Sequence, residues 1–275
     1  MKRSAGSIAA LLCIAMSLST AYPQEPRRLF SVGILEGLGI PVKPKLFTEY
    51  WKVGPCLGGE FRFNLNEKTG IAVGYAYQPF DLNVNKFRAA VSSFFDPGMQ
   101  ELVDTDPDFV QMRKTYPDLT IDWSYRFSDF SIINHAFSLN LIRYLNNPAS
   151  SLSFYLTAGV GLYARSMTDL IMTSTIYFDE PILGHDEVQT TEAVTIGRVR
   201  ETDIGLNGGL GLEAGLGSRW RFFAEGKIHD VFTKGSRMDV GAVPEALEVW
   251  ANEVNAKSKG TMEFVHLKTG LRFLF

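Results

Sequence analysis

From Leu57 to Leu65 the chain alternates without a break, with Leu57, Gly59, Phe61, Phe63 and Leu65 on one side and Gly58, Glu60, Arg62 and Asn64 on the other. Successive side chains of a strand point to opposite faces, so this segment has one face suited to lipid and one suited to a polar interior. Asn66 to Thr69 turns tightly into a second such segment, with Ile71, Val73, Tyr75 and Tyr77 facing one way and Ala72, Gly74, Ala76 and Gln78 the other. The two predict a hairpin. The pattern returns at Leu152 to Tyr163 and at Ile204 to Leu216, where the inward set is Gly205, Asn207, Gly209, Gly211 and Glu213. After Gly217-Ser218 it continues in Trp220 to His229, with Arg221, Phe223, Glu225, Lys227 and His229 inward, and in a closing strand with His266, Lys268, Gly270 and Arg272 inward. The first strand, Leu29 to Ile40, is less regular. Phe30, Val32 and Ile34 place Glu36 on the outward face, a conflict that a bulge near Leu35, or a position of Glu36 above the hydrocarbon, would remove.

Connection lengths set the topology. Short turns at Asn66 to Thr69, Asn146 to Ser150 and Gly217-Ser218 alternate with long connections at Pro41 to Pro55, Asp81 to Asp118, within Ser166 to Arg200, and Thr233 to Gly260. The fold class expected is all-β: a transmembrane up-and-down antiparallel β-barrel with short periplasmic turns and long extracellular loops. Lipid offers no hydrogen-bond partner to an open edge, so the sheet must close, and an even strand number returns the chain end to its starting side. Eight strands is the expected count. The alternative is ten, because Leu119, Ile121, Trp123, Tyr125 and Phe127 alternate as well as Phe137 to Leu145 does. Reflection about the Asn146 turn sets Leu119 opposite roughly Tyr177, which suits one long hairpin rising above the membrane; breaks at Ser128 to Asn134 and Met167-Thr168 would instead give two more barrel strands. Short helices are expected in two loops, from Phe87, Ala90, Val91 and Phe94 and, after Pro244, from Leu247, Trp250 and Val254.

Lys2 and Arg3 precede an apolar run from Ile8 to Leu18, and Ser19-Thr20-Ala21 supplies the small residues a signal peptidase needs. A cleaved signal over residues 1–21 is therefore expected, with the barrel domain over 22–275. The run falls well short of the ~20 apolar residues that cross a bilayer as a helix. Leu12 stands where a lipoprotein signal needs a small residue, so Cys13 is not a lipid anchor. Cys56 is then the one remaining cysteine, which excludes an intramolecular disulfide scaffold. The chain is 45% hydrophobic and 12% aromatic with 25 glycines, which suits a single sheet domain. Its 27 Lys and Arg against 30 Asp and Glu give −3; without Lys2 and Arg3, 25 bases face 30 acids and the charge is −5. No nucleic-acid partner is expected, since such a binder shows a basic face or stripe.

The interior carries the chemistry. Glu60, Glu213 and Glu225 face inward with Arg62, Arg221, Lys227, Lys268, Arg272 and Arg165. The lumen of an eight-stranded barrel is just wide enough for side chains to fill it, and charges sealed there must be paired. A plug of ion pairs is expected in preference to a conducting path. The final residues, Lys268 to Phe275, resemble the C-terminal signal by which bacterial outer-membrane barrels are recognised by their assembly machinery, through Gly270, Phe273 and the terminal Phe275. With this strand grammar the chain resembles the small OmpA-like and OmpX-like outer-membrane barrels, without the peptidoglycan-binding domain of full-length OmpA, so a cell-wall anchoring role does not carry over. The resemblance implies outer-membrane localisation and, as partners, outer-membrane lipid and lipopolysaccharide, the assembly machinery, and an unknown extracellular ligand of the loops.

The function expected is structural or surface-interacting and not enzymatic, with no catalytic residue and no cofactor. The rivals are a small-molecule transport or ligand-binding barrel and a lipid-modifying enzyme. Deacylases among small outer-membrane barrels use a histidine and a serine near the rim; here none of His135, His185, His229 and His266 has a serine two residues away, and no Gly-x-Ser-x-Gly elbow occurs. His229-Asp230 would suit a base with an orienting acid, but a lumen histidine with a structural hydrogen bond is the preferred reading. Asp179, Glu180, His185, Asp186 and Glu187 are the best metal candidates, yet they lack the spacing of a calcium loop, and no metal is expected. Cys56 is read as a small apolar packing residue.

Overall fold

The computed structural model describes residues 29–167, 170–180, 184–188, 194–196, 200–233 and 260–275; the signal segment and the helix expected after Pro244 lie outside them. Along the chain run β1 (Phe30–Lys43), α1 (Lys45–Tyr50), β2 (Gly54–Asn64), β3 (Thr69–Asp81), α2 (Val84–Thr105), α3 (Pro107–Thr115), β4 (Thr120–Phe127), β5 (Ser131–Tyr144), β6 (Leu152–Met167), β7 (Leu170–Glu180), β8 (Gly184–Val188), β9 (Val194–Ile196), β10 (Arg200–Gly215), β11 (Trp220–Thr233) and β12 (Gly260–Leu274).

Eight strands close into an antiparallel barrel in the order β1, β12, β11, β10, β6, β5, β3, β2. The ten-strand alternative is overturned. β3 pairs directly with β5 from Thr69↔Arg143 to Asp81↔Ser131, and β10 pairs with β6, so no barrel edge remains for β4 or β7. These two pair with each other in a separate sheet that β8 and β9 extend. The hairpin nevertheless keeps its register across the break. Ile132 faces Met167 in the barrel and Phe127 faces Met172 beyond it, five residues on along each strand. Ser128 bridges the gap, its N–H donating to Ile171 O at 2.9 Å and its Oγ accepting from Ile171 N at 3.0 Å. The observed register sets Asp122, three residues beyond the expected Leu119, opposite Tyr177.

Alternation sorts the barrel residues as expected. Ile34, Val73, Leu139, Val160, Leu206, Leu210, Ile228 and Leu267 form an exposed apolar belt, far more than a water-facing surface tolerates and what hydrocarbon requires. Aromatic rings gather at the short-turn end, where Phe30 lies 5.1 Å from Phe63 and Phe273 lies 5.0 Å from Trp220 and 5.1 Å from Phe275. Midway along β3, Tyr75 lies 5.1 Å from Phe137 and its hydroxyl meets His135 Nδ1 at 2.9 Å. No described helix is long and apolar enough to cross a membrane.

Of the two ways of accommodating Glu36, the bulge near Leu35 is absent. β1 pairs with β12 without interruption from Ser31↔Leu274 to Pro41↔Phe264, and the irregularity falls between Pro41 and Lys43. Leu35 is buried in the lumen and Glu36 is exposed on the outer face, between Leu57 and Thr269.

Two features occupy the long connections. α1 lowers Phe47 onto the open end of the barrel, where its ring meets Phe80 edge-on at 4.9 Å and is 4% exposed. α2 takes in the expected Phe87 to Phe94 helix and starts at Asn83, whose Oδ1 accepts from Lys86 N at 3.4 Å. Its Phe87 and Val91 pack with Leu82, Tyr125 and Phe130, so these loop elements share an apolar core seated on the barrel. α3 follows, with Pro107 at its first position and Asp106 capping the N–H groups of Asp108 and Phe109.

Candidate functional site

Along the inward face of β12, Arg272, Lys268, His266 and Phe264 mark successive layers of the lumen, each completed by the strands across it. At the short-turn end Ala72, Ile142, Tyr144 and Tyr155 form a small buried cluster. Above it lies an ionic layer. Arg62 donates to Glu60 Oε1 from Nε at 3.2 Å and Nη2 at 2.9 Å, and to Glu213 Oε1 and Tyr144 Oη from Nη1 at 2.6 and 2.9 Å. Arg272 donates to Glu60 Oε1 at 2.9 Å and also to Glu213 Oε1. Two guanidiniums and two carboxylates thus close a ring drawn from β2, β10 and β12. Aromatic faces cover it, with Arg62 4.8 Å from the Tyr155 ring centroid and Arg272 4.6 Å from that of Phe223.

Glu225 centres the next layer, with Lys227 Nζ at 3.1 Å and Lys268 Nζ at 3.7 Å from Oε1, and Tyr155 Oη donating to Oε2 at 3.2 Å. Eight of the nine sequence-derived lumen charges, Arg165 among them, meet a partner of opposite sign. Arg221 contacts no carboxylate among the described residues; its Nη1 donates to Ser150 O at 3.4 Å and Ser153 Oγ at 3.3 Å, beside a short turn. Arg165 sits nearer the loops, held by Glu201 Oε2 at 2.7 Å and Asp203 Oδ2 at 2.5 Å.

A polar layer follows, in which His229 Nδ1 meets Tyr163 Oη at 2.8 Å and His266 Nε2 meets Gln78 Oε1. Over it, Phe80, Phe264, Met262, Val231 and Cys56 pack with Phe47 as an apolar cap, and the fully buried Cys56 takes the packing role expected of it. His229 and Asp230 are not brought together, because neighbours on a strand face opposite sides and His229 lies in the lumen. β7 and β8 set Asp179 across from His185 and Phe178 across from Asp186; the side chains of 184–188 lie outside the described residues. In the loop core, burial pushes the Tyr125 phenol up to about 12, with the Asp96 carboxylate adding to the shift, so it stands as a neutral hydroxyl.

Glycine makes this filling possible at defined points. A Cβ on Gly270 would lie 2.7 Å from the Phe223 ring, and one on Gly211 would lie 2.3 Å from the Tyr155 ring. Each aromatic lies flat over a missing side chain of the neighbouring strand. Gly270, expected from the C-terminal pattern, thereby also serves the barrel interior.

No family model matches the chain, and no curated protein matches it. Among solved structures it is similar to Neisserial surface protein A (12% identity, TM-score 0.45, covering 90% of this chain and 97% of that one). It is also similar to a major outer membrane protein from Thermus thermophilus (12%, TM-score 0.46, covering 90% and 99%). A third is the outer membrane protein OprG from Pseudomonas aeruginosa (13%, TM-score 0.38, covering 90% and 97%). The chain has an outer-membrane β-barrel fold. That statement rests on the closed barrel, its apolar belt and its polar, filled interior, and it is the architecture that the OmpA-like strand grammar implied.

Proposed function

We propose that this barrel is an integral outer-membrane protein with a structural or surface-interaction role, its lumen closed to solutes and without catalytic function. The observation that carries the reading is the lumen itself: ionic, polar and apolar layers succeed one another, and Phe47 of α1 seals the end from which the long connections emerge. Layers of large, paired and buried side chains support a lumen without a continuous aqueous path. The sheet of β4, β7, β8 and β9 with α2 and α3 then becomes the part offered to an extracellular ligand, while lipid and lipopolysaccharide surround the belt. The purified protein in planar bilayers should show no steady porin-like conductance. Uniform, reproducible channels from the wild-type protein would refute the closed lumen and favour a transport barrel.

The same reading makes the C-terminus a signal for the assembly machinery, acting after removal of residues 1–21. The last residue contributes little to the ladder beyond its N–H donating to Phe30 O at 2.9 Å. Deleting Phe275 should therefore lower the amount of heat-modifiable, folded barrel in the outer membrane severalfold while the protein still refolds in vitro. Normal yield in cells would sink the assembly role, and equal failure in vitro would show a purely structural one.

A further inference from the structure

The charges of the two ionic layers do not balance. Among the described residues, Arg62, Lys227, Lys268 and Arg272 lie buried in the two ionic layers against Glu60, Glu213 and Glu225, so four cations face three carboxylates. Nearer the loops Arg165 faces two carboxylates, Glu201 and Asp203, so these groups together number five against five and the shortfall is local to the two ionic layers. All three central carboxylates are already engaged. Glu60 and Glu213 are shared by the two arginines, and Glu225 is held by Lys227 and Tyr155. Lys268 is left as the excess cation: its one carboxylate contact is the 3.7 Å approach to Glu225 Oε1, beyond hydrogen-bonding distance. An uncompensated ammonium in a closed interior is costly, and the three donors of Lys268 need acceptors.

The surroundings of Lys268 supply the rest of a site. On the same face of β12 the next residue up is His266, directly opposite Lys227 on β11. Its ring lies 4.4 Å from that of His229, which stands opposite Asn207 of β10. Here polar atoms of side chains more than nine-tenths buried have no partner: Gln78 Nε2, His229 Nε2, His266 Nδ1 and, in the layer below, Arg272 Nε. Gln78 Nε2 and Arg272 Nε are N–H donors, and each imidazole nitrogen donates or accepts according to its tautomer. A metal ion would be repelled by the two ammoniums, whereas an anion offsets the local excess of positive charge and accepts from these donors.

We propose that the lumen holds one small inorganic anion of halide size beside Lys268 Nζ, between the Glu225 layer and the layer of His266, His229 and Gln78. The inference goes beyond the closed-lumen reading and does not depend on it: a barrel that conducts ions could still hold this anion, and a sealed one could fail to.

The test compares thermal unfolding of the refolded protein in sodium chloride and in sodium gluconate at equal ionic strength and pH, gluconate being too large for the site. Chloride should raise the midpoint by about 5 °C over gluconate, as expected for a ligand present well above its dissociation constant. Lys268→Met should abolish the difference. Equal midpoints in the two salts, or a difference that survives in Lys268→Met, would overturn the proposal in favour of an uncharged lysine among waters. Wild-type crystals soaked in sodium bromide give a second reading that needs no variant. An anomalous peak in contact with Lys268 Nζ is the expected result, and bromide found only on the surface would overturn it.

Discussion

Replacing Glu213 with alanine is expected to cost the folded barrel about 3–5 kcal/mol, the penalty for breaking a buried ion pair by removing one partner. Glu213 Oε1 accepts from Arg62 Nη1 at 2.6 Å, from Arg272, and from Tyr144 Oη at 3.4 Å. Without it, two fully buried guanidiniums share a single oxygen of Glu60. The solvent-facing pair Lys43 to Glu263, with N to O at 2.9 Å and the lysine 62% exposed, provides the contrast. Its removal should cost far less, because solvent and salt screen an exposed pair. Urea-dependent folding into lipid vesicles, followed by tryptophan fluorescence, measures both. A Glu213→Ala loss as small as that of Lys43→Ala would mean that water reaches the ionic layer and that the ring of charges is not sealed.

The second large effect belongs to the outer face. Val160 lies mid-strand on β6 between Leu139 and Leu206, all three exposed and apolar. Val160→Arg should cost about 2–4 kcal/mol, the penalty for a cationic side chain at the bilayer midplane of a barrel. Leu145→Arg, on the same outer face beside the short turn, should cost only about 0–1 kcal/mol, since the penalty fades towards the interface. The same vesicle titration reads both variants. Equal losses at the two depths would show that the belt is not the lipid-facing surface.

The residues that made the barrel legible are those whose position alone determines their environment. In a strand, parity is enough: Glu60, Arg62, Glu225 and Arg272 declare themselves as interior because the residues between them are Phe61, Ala224, Gly226 and Phe273. The pairing partner of each charge was not legible. It depends on strand tilt and side-chain reach, which is why Arg221 has the right parity yet ends beside Ser150 and Ser153. α1 left no signal either, since six residues after a proline are too short to show a helical period. The expected count of eight strands is the one observed, although alternation alone did not exclude ten. β4 and β7 keep both the alternation and the register of the hairpin they prolong, and the direct contacts of β3 with β5 and of β6 with β10 exclude them from the barrel. Of the two alternatives for Glu36, the bulge at Leu35 treated one outward carboxylate as intolerable; the uninterrupted ladder on both sides of β1 leaves Glu36 on the outer face.

The seam between β1 and β12 bears on how the molecule comes into being. Seven of the eight barrel junctions join strands that are neighbours along the chain or are separated by a single loop excursion, so each can zip from a nearby turn. The eighth brings Val32 against Phe273 and must wait for almost the whole polypeptide. Its closure carries the largest loss of chain entropy and rewards it last. Until then the curved sheet has two open edges, and the interior charges on β2 and β12 have not met. Because Arg272 finds Glu60 only across that seam, the ionic ring acts as a latch: it forms when the cylinder shuts, and it gives the final step of folding a gain that no earlier intermediate can share.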